Sequence, residues 1–182
     1  MFQQLSIQYN LNCQCSFKAM VSIIRMTTPG LSGVYKWLYA GGSFTVCLRP
    51  SGIFYCKEYS SSAQWVVSPS GISIDWKNYG QYELNIVGAG QLEGSIKGKP
   101  ASWRKMSFLR PFDECENLMM GNGAGTAWNF EYDKGSFEVE FRCDGFNHFI
   151  CQKYPAHSHW SMEENKLLVN WDRYGTCYLI AL

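Results

Sequence analysis

Three kinds of side chain recur at spacings that could support chemistry. Three histidines, His148, His157 and His159, lie close together in the second half of the chain. On a strand, His157 and His159 would present both imidazoles on one face. Cys151 could join them in a candidate metal cluster. The spacing is loose and the ligand set mixed, so no metal is expected. Arg49 and Arg142 fall at strand ends before a turn, where a guanidinium could take a carboxylate bidentately. The plainer role is an Arg lying over an aromatic face or pairing with nearby acids. Six tryptophans form three pairs: Trp37 with Trp128, Trp65 with Trp160, and Trp76 with Trp171. Trp103 is the seventh. Such indoles could line a ligand cavity or form one sugar platform per pair member. Core anchoring is the simpler expectation, because aromatics chiefly supply buried area.

Catalytic motifs are missing. The chain has no Gly-x-Ser-x-Gly and no phosphate-binding loop. Gly88-Ala89-Gly90 lacks the third glycine and the following helix of a dinucleotide fingerprint. His148 and Cys151 are three residues apart on an expected strand, which points them to opposite faces and disfavours a thiol nucleophile. Asp113, Glu114 and Glu116 read as a solvated acidic patch. A non-enzymatic chain without a cofactor is therefore expected.

These residues sit in a pattern that occurs twice. Gly42-Ser43-Phe44 returns as Gly135-Ser136-Phe137, Arg49 as Arg142, Gly52 as Gly145, Cys56 as Cys151 and Tyr59 as Tyr154. Trp65 and Trp76 are eleven positions apart, as are Trp160 and Trp171. The offset grows by two residues in the turn after Gly145. A repeat at this period sets the architecture first. It keeps turns, glycines and tryptophans, but Asp75 becomes Asn170 and the histidines have no counterparts. An amide in place of a carboxylate is poor support for shared acid–base chemistry.

Within each copy the hydrophobic period is two. Ser43 to Arg49 alternates as a half-buried strand, Pro50-Ser51-Gly52 turns it, and Ile53 to Cys56 returns as a hairpin. Further strands are expected at 34–39, 63–67, 72–76 and 81–87. In the second copy, 127–132 opens the run, and Asp144-Gly145 turns 137–142 into 148–151. Between the copies, 92–96 and 103–109 look like two more strands, broken by Gly98-Lys99-Pro100. The expected fold class is all-β: an antiparallel, barrel-like architecture built from an internal duplication of two related repeats of about 90 residues. Residues 33–110 form the first repeat, 111–125 a linker loop, and 126–182 the second repeat, in one barrel with the first or in its own. The linker is richest in glycine at Gly121 to Gly125, and 113–120 could make a helical turn. Residues 1–32 are either extra strands that complete the second repeat or a flexible arm.

Composition narrows the class. The 182 residues can bury roughly 70% of the unfolded chain's surface, so no staples are needed. A net charge of +1, with no basic stripe, argues against nucleic acid. No run approaches the ~20 apolar residues of a membrane helix. The start lacks the basic and apolar regions of a signal peptide. Of the eight cysteines, only Cys56 and Cys151 are shared between the copies, so buried thiols in the cytoplasm are expected rather than a disulfide framework.

Gly33-Val34-Tyr35-Lys36-Trp37 resembles the opening of lipocalin-like (calycin) chains, in which a Gly-x-Trp begins an up-and-down barrel. Asp144-Gly145, and less closely Gly52-Ile53-Phe54, looks like the Asp-Gly-x-Phe hairpin of small lipocalin-like domains. The resemblance covers roughly 33–110 and 126–182 as a pattern. It implies a barrel interior able to hold one small apolar molecule. The leading expectation is therefore non-catalytic binding of a small apolar or amphipathic ligand in that interior, with Trp37, Trp65, Trp76, Trp128, Trp160, Trp171, Arg49 and Arg142 as its candidate residues. The alternatives are a structural or protein-interaction β protein within a larger assembly, and a carbohydrate-binding module with aromatic platforms. The expected partners are accordingly a small hydrophobic ligand or another protein.

Overall fold

A computed structural model describes residues 4–8, 14–19, 30–163 and 166–180. The strands in chain order are β1 (Gln4–Gln8), β2 (Gln14–Ala19), β3 (Gly33–Tyr39), β4 (Gly42–Leu48), β5 (Phe54–Tyr55), β6 (Gln64–Ser68), β7 (Gly71–Trp76), β8 (Gly80–Gly88), β9 (Gln91–Ile96) and β10 (Lys99–Arg110). After the helix α1 (Glu114–Met120) come β11 (Gly125–Tyr132), β12 (Gly135–Arg142), β13 (His148–Ile150), β14 (Ser158–Glu163), β15 (Lys166–Asn170) and β16 (Thr176–Ile180). The chain is all-β, and every strand pairing is antiparallel. Among the described residues no helix is long and apolar enough to cross a membrane.

The strands form two eight-stranded sheets, in two compact units. The unit Met26–Phe112 holds β3 to β10 as a meander, in which each strand neighbours the next and β10 returns to β3. Its weakest seam lies between β5 and β6. These meet at one bridge, Ile53–Gln64, flanked by Phe54 N–H to Ala63 O at 3.1 Å and Trp65 N–H to Gly52 O at 2.7 Å. Alternation places Val46, Leu48, Ile72, Ile74, Tyr82 and Leu84 inside, with Glu83 and Gln81 outside. Gly71 and Gly94 stand on either side of β8, where a Cβ would strike the Leu84 and Glu83 carbonyls. Only glycine admits so close a backbone approach. The expected break at Gly98-Lys99-Pro100 narrows to a tight turn. Gly98 takes the left-handed conformation, φ +74°, and Pro100 lies inside β10 where the register shifts.

The other unit joins Met1–Arg25 to Asp113–Leu182. Its sheet closes as a barrel in the order β1-β16-β15-β14-β13-β12-β11-β2. The meander runs from β11 to β16, continues into β1, and closes through β2 onto β11. This is the closed antiparallel arrangement that a calycin-like barrel requires. The segment read as a linker contains α1. Asp113 caps it in a reciprocal box with Glu116: Glu116 N–H donates to Asp113 Oδ1 at 2.8 Å, and Asp113 N–H donates to Glu116 Oε2 at 2.9 Å. Two of the three acids read as a solvated patch are thus a helix cap. Met119 and Met120 are buried, and Gly121 caps the carbonyl end with its N–H on Asn117 O and Leu118 O.

Candidate functional site

The paired tryptophans lie inside. Trp37, Trp65, Trp76, Trp128, Trp160 and Trp171 are all buried, and Trp103 alone among the described tryptophans is exposed. Trp128 donates its indole N–H to Thr126 Oγ1 at 2.7 Å, and four others bind the protein's own backbone. Trp65 donates to Arg49 O and Trp160 to Arg142 O, each at 2.9 Å. Trp76 donates to Tyr59 O at 3.2 Å and Trp171 to Tyr154 O at 3.3 Å. Each of these four indoles therefore fixes the end of a preceding strand or loop. The two arginines share this carbonyl role and nothing else. Arg49 is 4% exposed with its guanidinium over the Tyr55 ring, 4.5 Å from the centroid. Arg142 is exposed and pairs with Glu140 at 3.2 Å. Burial pushes the Tyr55 hydroxyl up, against the opposing charge of Arg49.

The interior of the Met26–Phe112 unit is filled by rings in edge contact. Trp37 stands 5.8 Å from Phe54, 5.8 Å from Trp76 and 5.2 Å from Tyr82, and Phe54 stands 4.7 Å from Trp76. In the other unit Phe149 sits 4.9 Å from Trp171, and Phe130 sits 4.7 Å from Phe137. These separations are those of close-packed aromatic pairs.

The open features lie on the outer surface. Trp65 N–H and Ala63 O point toward β5, so alternation directs the N–H and C=O of Val67 to the same edge. β5 has already ended there. Val66 is 62% and Val67 55% exposed, which leaves an apolar strand edge uncovered. Beside it, a depression of about 250 Å³ is lined by Gln64, Val66, Asp75, Gln81, Glu83 and Lys97, among others. Asp75 pairs there with Lys77 at 2.7 Å.

No family model, curated protein or solved structure matches the chain.

The histidines converge on the second unit's outer surface. His148 on β13 is the register partner of His159 on β14. Ser158 turns into the barrel, so His157 and His159 flank it on the other face. Cys151 is buried and stands apart from them. Asp144 supports this group from the preceding turn. Its Oδ2 lies 2.5 Å from His148 Nδ1, and its Oδ1 accepts from the N–H groups of Phe146 and His148 at 3.0 and 3.3 Å. Burial raises the Asp144 carboxyl, but the His148 contact and the two backbone donors outweigh it and hold the group below its ordinary value. His159 Nδ1 contacts Phe146 O at 2.9 Å. Asn147, at φ +55° and buried, clamps the turn by donating its side-chain amide to Trp160 O at 3.2 Å. Sequence reasoning singled out the histidines but missed Asp144, Phe146 and Asn147 as their support. The available signal was the two-residue insertion after Gly145, which supplies the extra turn.

Proposed function

We propose that the chain is a non-catalytic protein-interaction β protein, and that the free edge of β6 pairs with an extended strand of its partner. The carrying observation is the Val67 N–H and C=O, presented on an exposed apolar edge beside the surface depression. Strand addition needs these two parts: main-chain groups for affinity and a neighbouring pocket for an alternate side chain. Glu83, Asp75 and Lys97 at the depression suit a partner side chain that is polar or charged. The ring packing of the interior favours this reading over a small apolar ligand held in the barrel. Burial of the six paired tryptophans favours it over carbohydrate platforms. The lipocalin-like reading then concerns the scaffold, through Gly33-Val34-Tyr35-Lys36-Trp37, and not the cargo. A cytoplasmic setting accords with the thiols of Cys56, Cys115 and Cys151.

Selection of a randomised peptide library on the full chain tests the proposal. The expected result is an enriched motif with apolar residues at alternate positions whose binding is lost in Val67→Pro. Proline removes the edge N–H yet is tolerated on an edge strand. Motifs that bind Val67→Pro equally well would sink the proposal. So would native mass spectrometry that finds a small molecule retained by the purified protein, which would return the function to the interior.

A further inference from the structure

The geometry points to a divalent transition-metal site, of the zinc class, formed by His148, His157 and His159 on the outer face of β13 and β14. It lies in the other unit from β6 and is independent of the interaction proposed there. The three side chains bring ligand nitrogens that all lie within 4.8 Å of one another. Tetrahedral zinc, at ~2.0–2.1 Å from each nitrogen, needs them about 3.3 Å apart. Side-chain rotation closes that difference, and His157 is exposed and able to turn.

The orientation of the rings carries the inference further than their proximity. His159 Nδ1 faces the Phe146 carbonyl, which only accepts, so this nitrogen bears the proton and Nε2 keeps the lone pair. His148 Nδ1 faces the Asp144 carboxylate and is fixed in the same sense. Among the described residues nothing hydrogen-bonds to either Nε2. A histidine whose Nδ1–H is held by a carboxylate or a backbone carbonyl while Nε2 is left open is arranged as metal ligands are. Asp144 and Phe146 O are therefore positioning groups, and Asn147 holds the turn that carries them.

The fold does not need this arrangement. In the other unit the matching closure is the Ile53–Gln64 bridge, which has no imidazole and no acid. The histidines, Asp144 and the inserted Phe146-Asn147 all belong to one copy. Three imidazoles fill three of four tetrahedral positions and leave one for water or a small anion from solvent. Nitrogen donors of this kind suit zinc, copper and nickel over calcium or magnesium.

Calorimetric titration of the full chain with Zn2+ tests the site, with Co2+ as a spectroscopic probe. The expected result is one Zn2+ per chain and the visible bands of four-coordinate Co2+ without a thiolate band in the near ultraviolet. His157→Gln, at an exposed position, should weaken binding at least tenfold with the far-ultraviolet spectrum unchanged, and Asp144→Asn should weaken it about 10–100-fold through orientation alone. Absence of saturable Zn2+ binding overturns the proposal. Binding unchanged in a folded His157→Gln, or a cobalt–thiolate band that assigns the metal to cysteine, overturns it equally.

Discussion

At the scale of single residues, position in the sheet decides what a recurring side chain does. Arg49 and Arg142 occupy equivalent places, yet one guanidinium is stacked in the interior and the other is paired on the surface. What they share is a backbone carbonyl, and a carbonyl leaves no mark on residue type. The same reason hid half of the histidine cluster: Phe146 acts through its oxygen, so its ring gave no signal. Cys56 is another shared residue, and its environment makes a testable statement. Burial pushes its thiol up to about 12, and Glu58, 3.5 Å away, adds to the effect. A thiol raised above its unfolded value near 9 favours the folded state fully below that value. That contribution is lost as pH climbs from about 9 towards about 12. Cys56→Ala should be less stable than the parent at neutral pH, and the gap should narrow as pH rises. Urea midpoints of both proteins at about pH 8 and about pH 10.5 measure it. A gap that widens at the higher pH would exclude the assignment.

At the scale of elements, strands were legible because each has one buried face, and period-two alternation reports that face directly. The short seam strand β5 was less so. Its hairpin return at 53–56 is read from the turn before it, but its single bridge to β6 is encoded by no local pattern. Pairing of His148 with His159 depends on the corresponding seam, so their convergence needed the register and not merely the spacing. The tryptophans show how these seams are held. Trp65 reaches from β6 to the end of β4, and Trp160 reaches from β14 to the end of β12. Each indole crosses the weak strand between and ties its neighbours by one hydrogen bond and a large buried ring. Trp65→Phe and Trp160→Phe should each cost about 1–3 kcal/mol, from a lost indole hydrogen bond to a strand-end carbonyl and a partly emptied site. Equal losses would mark the indoles as structural clamps. Denaturation monitored by amide exchange should place the added opening at β5 for the first variant and at β13 for the second. A change under about 0.5 kcal/mol in either would refute the clamp.

At the scale of the molecule, connectivity decides which parts of the chain depend on one another. The sheet of β3 to β10 draws every strand from one continuous segment, with β10 paired to β3 and the β5–β6 seam held by a single bridge. The sheet that holds β11 to β16 does not. Its closing members, β1 and β2, come from the other end of the chain, with Ser6 opposite Ile180, Leu5 opposite Phe17, and Phe17 opposite Phe130. In the sequence, Gln4-Leu5 is matched by Gln91-Leu92, and Ser16-Phe17-Lys18-Ala19-Met20 resembles Ser102-Trp103-Arg104-Lys105-Met106, which hints at extra strands that complete the second repeat. Two short matches do not determine pairing, because strand partners far apart in sequence are chosen by closure. Removing residues 1–19 would separate β11 from β16 by a gap of roughly 14 Å, three inter-strand spacings, too wide for direct hydrogen bonding. Trp128 and Phe130 on β11, buried in the intact barrel, would then stand at an opened edge. Such a deletion should collapse the amide chemical-shift dispersion of residues 125–180 while that of 33–110 stays unchanged, since the second set pairs only within its own continuous segment. Heteronuclear NMR of the shortened chain reads both sets at once. Retention of dispersed signals from 125–180 would mean that the six-strand remnant closes without its N-terminal partners. Loss of both sets would mean that the sheet formed by β3 to β10 does not stand alone.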